Sequence, residues 1–279
     1  MGRVLVNIGT VTSVDWIAPG QCRMVVHCPE VAAAALPGQF AEVDCTPVSE
    51  GPARVLSASR APFLRRPISF CDVDATAGTF TLVFRVQGAG TLALSRFQSG
   101  ERISVLGPLG HGFRIPETGS CVAVGGGIGV YPLLHLLRTC ADRGLGTTAV
   151  CGYRSVEEAF LLEEFRSVAD ETYFASDSGG LDFEGHSAAA LAALWSSRPA
   201  SGPVTIFTCG PAPMMRAVAE LATIRGHACQ VSLEERMGCG TGICLVCACE
   251  IHHRETGGTE YKRCCTEGPV FDAGEVVWG

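Results

Sequence analysis

Three cysteines, Cys239, Cys244 and Cys247, lie in the run Gly238-Cys239-Gly240-Thr241-Gly242-Ile243-Cys244-Leu245-Val246-Cys247, answered later by the adjacent pair Cys264-Cys265. The first three are spaced C-x4-C-x2-C, the pattern that holds a plant-type [2Fe–2S] cluster when a fourth thiol arrives from further along the chain. Four thiolates must converge on two neighbouring irons, so a tight loop supplies three of them. Gly238, Gly240 and Gly242 let the backbone wrap closely and aim N–H groups at sulfur. A structural zinc ion is the competing use, but zinc sites usually repeat C-x2-C in two pairs. A single C-x4-C-x2-C with interleaved glycines favours iron and sulfur. A carrier of this kind needs a donor, and the donor needs elements to hold it.

The chain has 279 residues, room for two domains and a small module, and is 47% hydrophobic and 18% charged. Its net charge of −7, with no basic run interleaved with aromatics, argues against a nucleic-acid surface. Met1-Gly2-Arg3-Val4-Leu5-Val6 enters a strand-like pattern, so neither a signal peptide nor a myristoyl anchor is expected, and apolar runs such as 121–134 are too short for a membrane span. Cys22, Cys28, Cys45, Cys71, Cys121, Cys140 and Cys151 sit in apolar runs and read as reduced core residues. A reducing cytoplasm is the expected compartment.

Up to about Leu106 the pattern is short strands bounded by Gly and Pro. Val4, Val6 and Ile8 alternate, as do Phe80, Leu82, Phe84 and Val86, each suggesting a half-buried strand of a small antiparallel barrel. Within it, Arg65-Arg66-Pro67-Ile68-Ser69 resembles the flavin motif of the ferredoxin-reductase superfamily, in which Arg grips pyrophosphate and Ser approaches the isoalloxazine. Gly88-Ala89-Gly90-Thr91 then precedes a short helical run, 92–97, and a glycine-rich turn at a helix start suits a phosphate. Gly107-Pro108-Leu109-Gly110 resembles the barrel exit of that superfamily.

Composition shifts at Cys121. Strand-like 121–124 runs into Gly125-Gly126-Gly127-Ile128-Gly129 and a helix over about 130–143, an arrangement that lets backbone approach a pyrophosphate. Strands over 147–151, 171–176, 204–209 and 228–233 alternate with helices near 156–168, 187–197 and 212–225, which predicts a five-stranded parallel sheet. Ligands bind such sheets at the carboxyl ends of the strands. There lie the glycine run, Gly152-Tyr153-Arg154, Asp177 and Cys209-Gly210-Pro211.

With these parts in this order, the chain resembles the electron-transfer subunits of class 1B dihydroorotate dehydrogenases over nearly its whole length. The most diagnostic block is Cys265-Thr266-Glu267-Gly268-Pro269-Val270-Phe271, with Ser232-Leu233-Glu234-Glu235-Arg236-Met237-Gly238 before the first cysteine. The resemblance implies an α+β multidomain fold: an FAD-binding antiparallel β-barrel (1–116), an NAD-binding α/β parallel-sheet domain (117–233) and a [2Fe–2S] module (234–279). It places FAD on Arg66, Pro67, Ile68, Ser69, Val83, Phe84, Arg85, Gly90 and Thr91. NAD(H) falls on Gly125, Gly126, Gly127, Ile128, Gly129, Asp177, Cys209, Gly210 and Pro211, and the cluster on Cys239, Cys244, Cys247 and Cys265. If the last segment is extended, Cys264 and Cys265 point to opposite faces, and Cys264 takes a place the family usually makes apolar. No side chain need act as acid or base in an electron relay; Cys209 is the one catalytic candidate.

The implied partner is an FMN-containing dihydroorotate dehydrogenase catalytic subunit, two copies of each chain forming a heterotetramer in pyrimidine biosynthesis, with no nucleic acid and no membrane. Tyr131 departs from the small residue usual after the glycine run, Ser176-Asp177-Ser178-Gly179 is less acidic than the usual T-D-D-G, about 46–61 is an insertion, and Cys249 and Cys264 are extra thiols. Two other readings stay open: a reductase subunit of another NAD(P)H-dependent iron–sulfur flavoenzyme of hydrogenase-like, transhydrogenase-like or oxygenase type, and a redox-sensing or zinc-binding module on a degenerate scaffold.

Overall fold

The computed structural model describes residues 6–48, 62–197, 202–253 and 257–279. The reading of Met1–Leu5 as the start of a strand, and most of the insertion at about 46–61, lie outside the described residues.

Six strands close an antiparallel barrel: β1 (Val6–Ala18), β2 (Gln21–His27), β3 (Phe40–Val43), β4 (Arg66–Asp74), β5 (Thr79–Arg85) and β6 (Arg102–Leu109), in the order β1-β2-β5-β4-β3-β6. A short helix α1 (Pro29–Ala32) follows β2, and α2 (Ala89–Leu94) follows β5. The interior is filled by Val11, Met24, Val26, Ala41, Val43, Phe70, Phe80, Leu82, Ile103 and Val105. Phe80, Leu82 and Phe84 point inward as their alternation suggests. Val6 and Ile8 do not: both are exposed, and Gly9 and Val11 supply the inward face of β1. The reason is steric. Gly9 lies so close to β2 that a Cβ there would meet Val26 at 2.6 Å, so the larger side chains on either side of it turn outward.

The second sheet has the order β10-β9-β8-β7-β11-β12-β15. Its members are β7 (Ser120–Gly126), β8 (Gly146–Tyr153), β9 (Glu171–Ser176), the two-residue β10 (Phe183–Glu184), β11 (Val204–Cys209), β12 (Ala228–Ser232) and β15 (Val270–Asp272). The five expected strands are parallel. Two strands extend the sheet beyond that expectation, β10 in parallel with β9 and β15 antiparallel to β12. Helices α3 (Tyr131–Asp142), α4 (Leu162–Val168), α5 (Ser187–Ser197) and α6 (Ala212–Arg225) cover the sheet. Helix α4 starts at Leu162 and not near Val156. Leu161 takes a left-handed φ of 60°, and Phe160 instead packs on Tyr131 and Tyr153 while its carbonyl accepts the Tyr153 hydroxyl at 2.7 Å.

The C-terminal segment forms a hairpin, β13 (Ala248–His252) with β14 (Thr259–Arg263), before it joins the second sheet as β15. Its core joins all three parts of the molecule: Phe40 and Leu109 from the barrel, Met215 and Val231 from the sheet domain, and Cys247, Ile251, Cys265 and Phe271 from the segment itself. Against the nucleotide domain the barrel presents β4, packed on α3, where Arg138 pairs with Asp72 at 3.0 Å.

Candidate functional site

Two cavities and one loop meet where these parts join. The first cavity, about 280 Å³, opens on the outer face of the barrel. Arg66, Pro67, Ile68 and Ser69 of β4, Val83, Phe84 and Arg85 of β5, and Thr91 of α2 line it. These are eight of the nine residues expected to meet FAD; Gly90 lies behind Arg66. A Cβ on Gly90 would stand 2.2 Å from Nε of Arg66, so glycine there lets the guanidinium lie flat across the start of α2. Thr91 Oγ1 accepts from the N–H groups of Gln87 and Gly88 at 3.1 and 3.3 Å, which fixes that start. Arg65 faces elsewhere. Its guanidinium donates to the carbonyls of Glu42 and Ser104 and to Ser104 Oγ, tying β3 to β6. A guanidinium, a helix start and apolar walls from Phe40, Pro67 and Tyr131 fit a diphosphate carrying a flat ring system.

The second cavity, about 340 Å³, lies at the carboxyl ends of the parallel strands. Gly126, Gly127, Ile128, Asp177, Gly210 and Pro211 line it, as expected for a nucleotide, together with Arg154, His186 and Ser187. Gly125 and Gly129 do not. They are packing positions: a Cβ at Gly129 would meet the Cys209 carbonyl at 2.3 Å, and one at Gly125 would meet Val130 at 2.7 Å. Gly210 has φ of 147°, and a Cβ there would stand 3.0 Å from the N and O of Gly126, so two backbones pass with no room for a side chain. Cys209 is on the wall of the first cavity, not the second, and is 2% exposed. Burial pushes its thiol well above the usual range, so it is a neutral group there.

Arg85, Ile128 and Glu234 line both cavities. Glu234 was not singled out from the sequence; burial raises its carboxyl above the usual range. It sits in the stretch between β12 and the thiol loop, where no periodicity marks a role. Tyr131 also gains a function. Its hydroxyl meets the Gln21 side chain, and its ring packs on Phe160 at 5.2 Å, so the helix start after the glycine run is pinned to the barrel.

The far wall of the first cavity is Glu235, Met237 and Pro269, the residues that lead into the thiol loop and the turn after Cys265. Within the loop, the Thr241 N–H points at Cys239 Sγ at 3.4 Å. Burial raises the Cys239 thiol, yet N–H groups of Cys244, Thr241 and Ile243 outweigh it and hold the group down at about 6. Such a nest of donors fits a thiolate ligand. Gly240 and Gly242 adopt φ of 66° and 83°, which makes the wrap possible.

Residues 264–267 form a turn, not the extended segment on which the alternation argument rested. The turn nevertheless separates the two thiols. Cys265 faces Cys247 and the Gly242 N–H, and burial with the neighbouring Cys247 thiol pushes it up to about 12. Cys264 faces Cys249, with the sulfurs 3.6 Å apart. Among the described residues no three ligating side chains are gathered closely enough to hold a metal ion as they stand; the fit to a cluster rests on donor type and on the aimed N–H groups. Glu42 lies under this loop, 1% exposed, its carboxyl oxygens without a hydrogen-bond partner and a Cβ on Gly240 only 2.6 Å from its Cγ.

The comparisons with known proteins agree with this geometry. Residues 234–277 match the model of the iron–sulfur cluster binding domain of dihydroorotate dehydrogenase B. A dihydroorotate dehydrogenase B (NAD(+)) electron transfer subunit of Geobacillus thermodenitrificans (strain NG80-2) is 38% identical over 271 residues, covering 96% of this chain and 97% of the relative. The chain belongs to this family. A further electron transfer subunit of it, from Desulforamulus reducens (strain ATCC BAA-1160 / DSM 100696 / MI-1), is 37% identical over 269 residues, with the same coverage. Among solved structures, one of an NADH-dependent reduced ferredoxin–NADP oxidoreductase that bears on flavin-based electron bifurcation is similar over the whole chain and 92% of its own, with a TM-score of 0.78 and 26% identity. A ferredoxin reductase of carbazole 1,9a-dioxygenase shares the fold, with a TM-score of 0.61 and 19% identity over 81% of this chain. No described helix is long and apolar enough to cross a membrane.

Proposed function

We propose that the chain carries electrons between NAD(H), held in the second cavity, and a dihydroorotate dehydrogenase catalytic subunit, by way of FAD in the first cavity and a [2Fe–2S] cluster on Cys239, Cys244, Cys247 and Cys265. One observation carries this reading. The first cavity shares Arg85, Ile128 and Glu234 with the second and shares its opposite wall, Met237 and Pro269, with the approach to the thiol loop. Nicotinamide exchanges electrons in pairs, a [2Fe–2S] cluster singly and a flavin either way, so the flavin belongs between them.

The residues have separable tasks. Arg66, beside the start of α2, binds the flavin diphosphate, while Pro67, Ile68 and Phe40 give the ring a dry wall. Gly126, Gly127 and Gly210 admit the nucleotide's pyrophosphate at the strand ends, and Asp177 meets its ribose. Glu234 and Tyr131 border the passage between the two rings and set how closely they approach. Neutral Cys209 packs behind that passage and transfers no proton. Around the exposed Cys244, the apolar residues Ile243, Leu245 and Val246 are 82%, 61% and 55% exposed. They suit the docking of the catalytic subunit, which carries FMN and assembles with this chain as two copies of each. The fifteen cysteines, all unpaired, support a reducing cytoplasm.

The purified chain is expected to oxidise NADH with an artificial acceptor and to form no orotate from dihydroorotate until the catalytic subunit is added. Orotate formation by this chain alone would overturn the reading. Electron delivery to a ferredoxin or oxygenase in place of the catalytic subunit would move the chain to the other reductases of this architecture.

A further inference from the structure

The ligand set uses four of the six cysteines in the last segment and leaves Cys249 and Cys264, which are in contact with each other. Cys249 is on β13 and its thiol donates to the Lys262 carbonyl at 3.3 Å. Cys264 opens the turn that follows the facing strand, and its N–H donates to the Cys247 carbonyl at 3.0 Å. With Cys249 paired to Lys262 across the hairpin, the two thiols are diagonal neighbours on one face. Their sulfurs stand 3.6 Å apart, Cys264 wholly buried and Cys249 8% exposed at the edge of that core. Two thiols held this close need only a short further approach to reach the bonded distance of about 2 Å.

We propose that Cys249 and Cys264 are an oxidisable dithiol, separate from the cluster ligands, which closes to a disulfide when hydrogen peroxide reaches the module. The chemistry balances with that one oxidant. The Cys249 sulfur attacks one peroxide oxygen, the O–O bond breaks, and water leaves behind a sulfenic acid. The Cys264 sulfur then attacks the Cys249 sulfur, the S–O bond breaks and a second water leaves. Two thiols and one peroxide become one disulfide and two waters. Cys249, nearer the surface, takes the oxidant, and buried Cys264 resolves it.

The position gives the bond a use. Each thiol is close in sequence to a ligand, Cys249 to Cys247 and Cys264 to Cys265. A disulfide would therefore fasten the hairpin that carries half of the ligand set, at a time when oxidant is attacking the cluster. Metal modules lose order when their metal is lost. This cross-link would keep Cys247 and Cys265 in register until thiols are reduced again.

The inference rests on the reading that Cys265, and not Cys264, completes the cluster, and one experiment separates the two. The cluster-loaded chain is exposed to a few equivalents of hydrogen peroxide, free thiols are blocked with N-ethylmaleimide, and a non-reducing digest is mapped by mass spectrometry. The expected result is a peptide pair joined through Cys249 and Cys264 that dithiothreitol separates, and that Cys264→Ser and Cys249→Ser both abolish while keeping their iron. Cys249 and Cys264 both alkylated after oxidation, or a cross-link mainly among ligand cysteines, would overturn the proposal. Loss of iron from Cys264→Ser would instead sink the ligand assignment. Should either variant fail to fold, the map of the unmodified chain decides alone.

Discussion

Much of the lining of the two cavities comes from hydrogen-bonded strands and the turns at their ends, with Glu234, Glu235 and Met237 closing one side, whereas residues 234–247 themselves contain neither helix nor strand. Cys209 is in register with Gly125 on one side and Ser232 on the other, so three strands fix the cavity floor before any ligand arrives. The thiol loop has glycines at positive φ, a few N–H groups turned toward sulfur and three exposed apolar side chains on its outside. Two kinds of order follow. The cavities are preformed by packing, and the loop is a set of ligands that its metal organises.

The largest effect separates Cys265 from its neighbour. Cys265→Ser is expected to lose nearly all of the cluster, read as iron content and as the electron paramagnetic resonance signal of the reduced protein, while Cys264→Ser and Cys249→Ser keep both. Chelating the iron from the unmodified chain extends the test. Flavin occupancy and far-ultraviolet circular dichroism should change little, while amide exchange over 238–247 rises sharply. Loss of flavin along with iron would mean that the cavities depend on the loop and that the contrast is false.

A second test addresses the packing that preforms the cavities. His135 of α3 is buried against the barrel with Nδ1 unpartnered. Burial lowers it from 6.5 to about 4, with Asp72 opposing and Arg138 adding to the shift. The unfolded chain therefore binds a proton that the native chain refuses. Stability is full above about pH 6.5 and falls as pH drops toward 4, by on the order of 3 kcal/mol. His135→Leu should flatten that part of the profile, measured as urea midpoints between pH 4 and 7. An unchanged slope would show that water reaches this contact.

What the sequence disclosed divides along the same line. Short apolar or helix-forming runs bounded by turn residues, such as β9, β11, α5 and α6, were legible to the residue, because the composition and the punctuation of a run are local information. The order of the three parts was legible from turn chemistry and thiol spacing. The outward face of β1 was not, since the closeness of Gly9 to Val26 depends on the partner strand. Nor was β15, whose pairing of Asp272 with Gln230 spans residues far apart in the chain. At the site, motif residues could be read by type, but no role could be read for Glu42, a barrel-strand residue, or for Glu234, named only within the block before the first cysteine: burial under the thiol loop and a place between two cavities are tertiary facts.

The smaller effects concern how finely the first cavity is preformed. Arg66→Ala removes one charge-assisted contact to phosphate, on the order of 1.5–3 kcal/mol, or roughly 10- to 100-fold in flavin affinity. Arg65→Ala should keep its flavin and lose thermal stability instead, because that side chain ties β3 to β6. Gly90→Ala probes the same grip more gently. Its methyl group would fall 2.2 Å from Nε of Arg66, but the atom it meets is on a flexible side chain and not on backbone. The guanidinium can swing aside at little expense to the fold, so the melting temperature should hold while flavin affinity falls less than in Arg66→Ala. Combining the two changes decides whether the glycine acts through the arginine. In the double variant the Gly90→Ala effect should vanish, because the group it displaces is gone. Additive losses would mean that Gly90 meets the flavin directly, and the site would then be shaped by backbone at the start of α2 and not by the arginine laid across it.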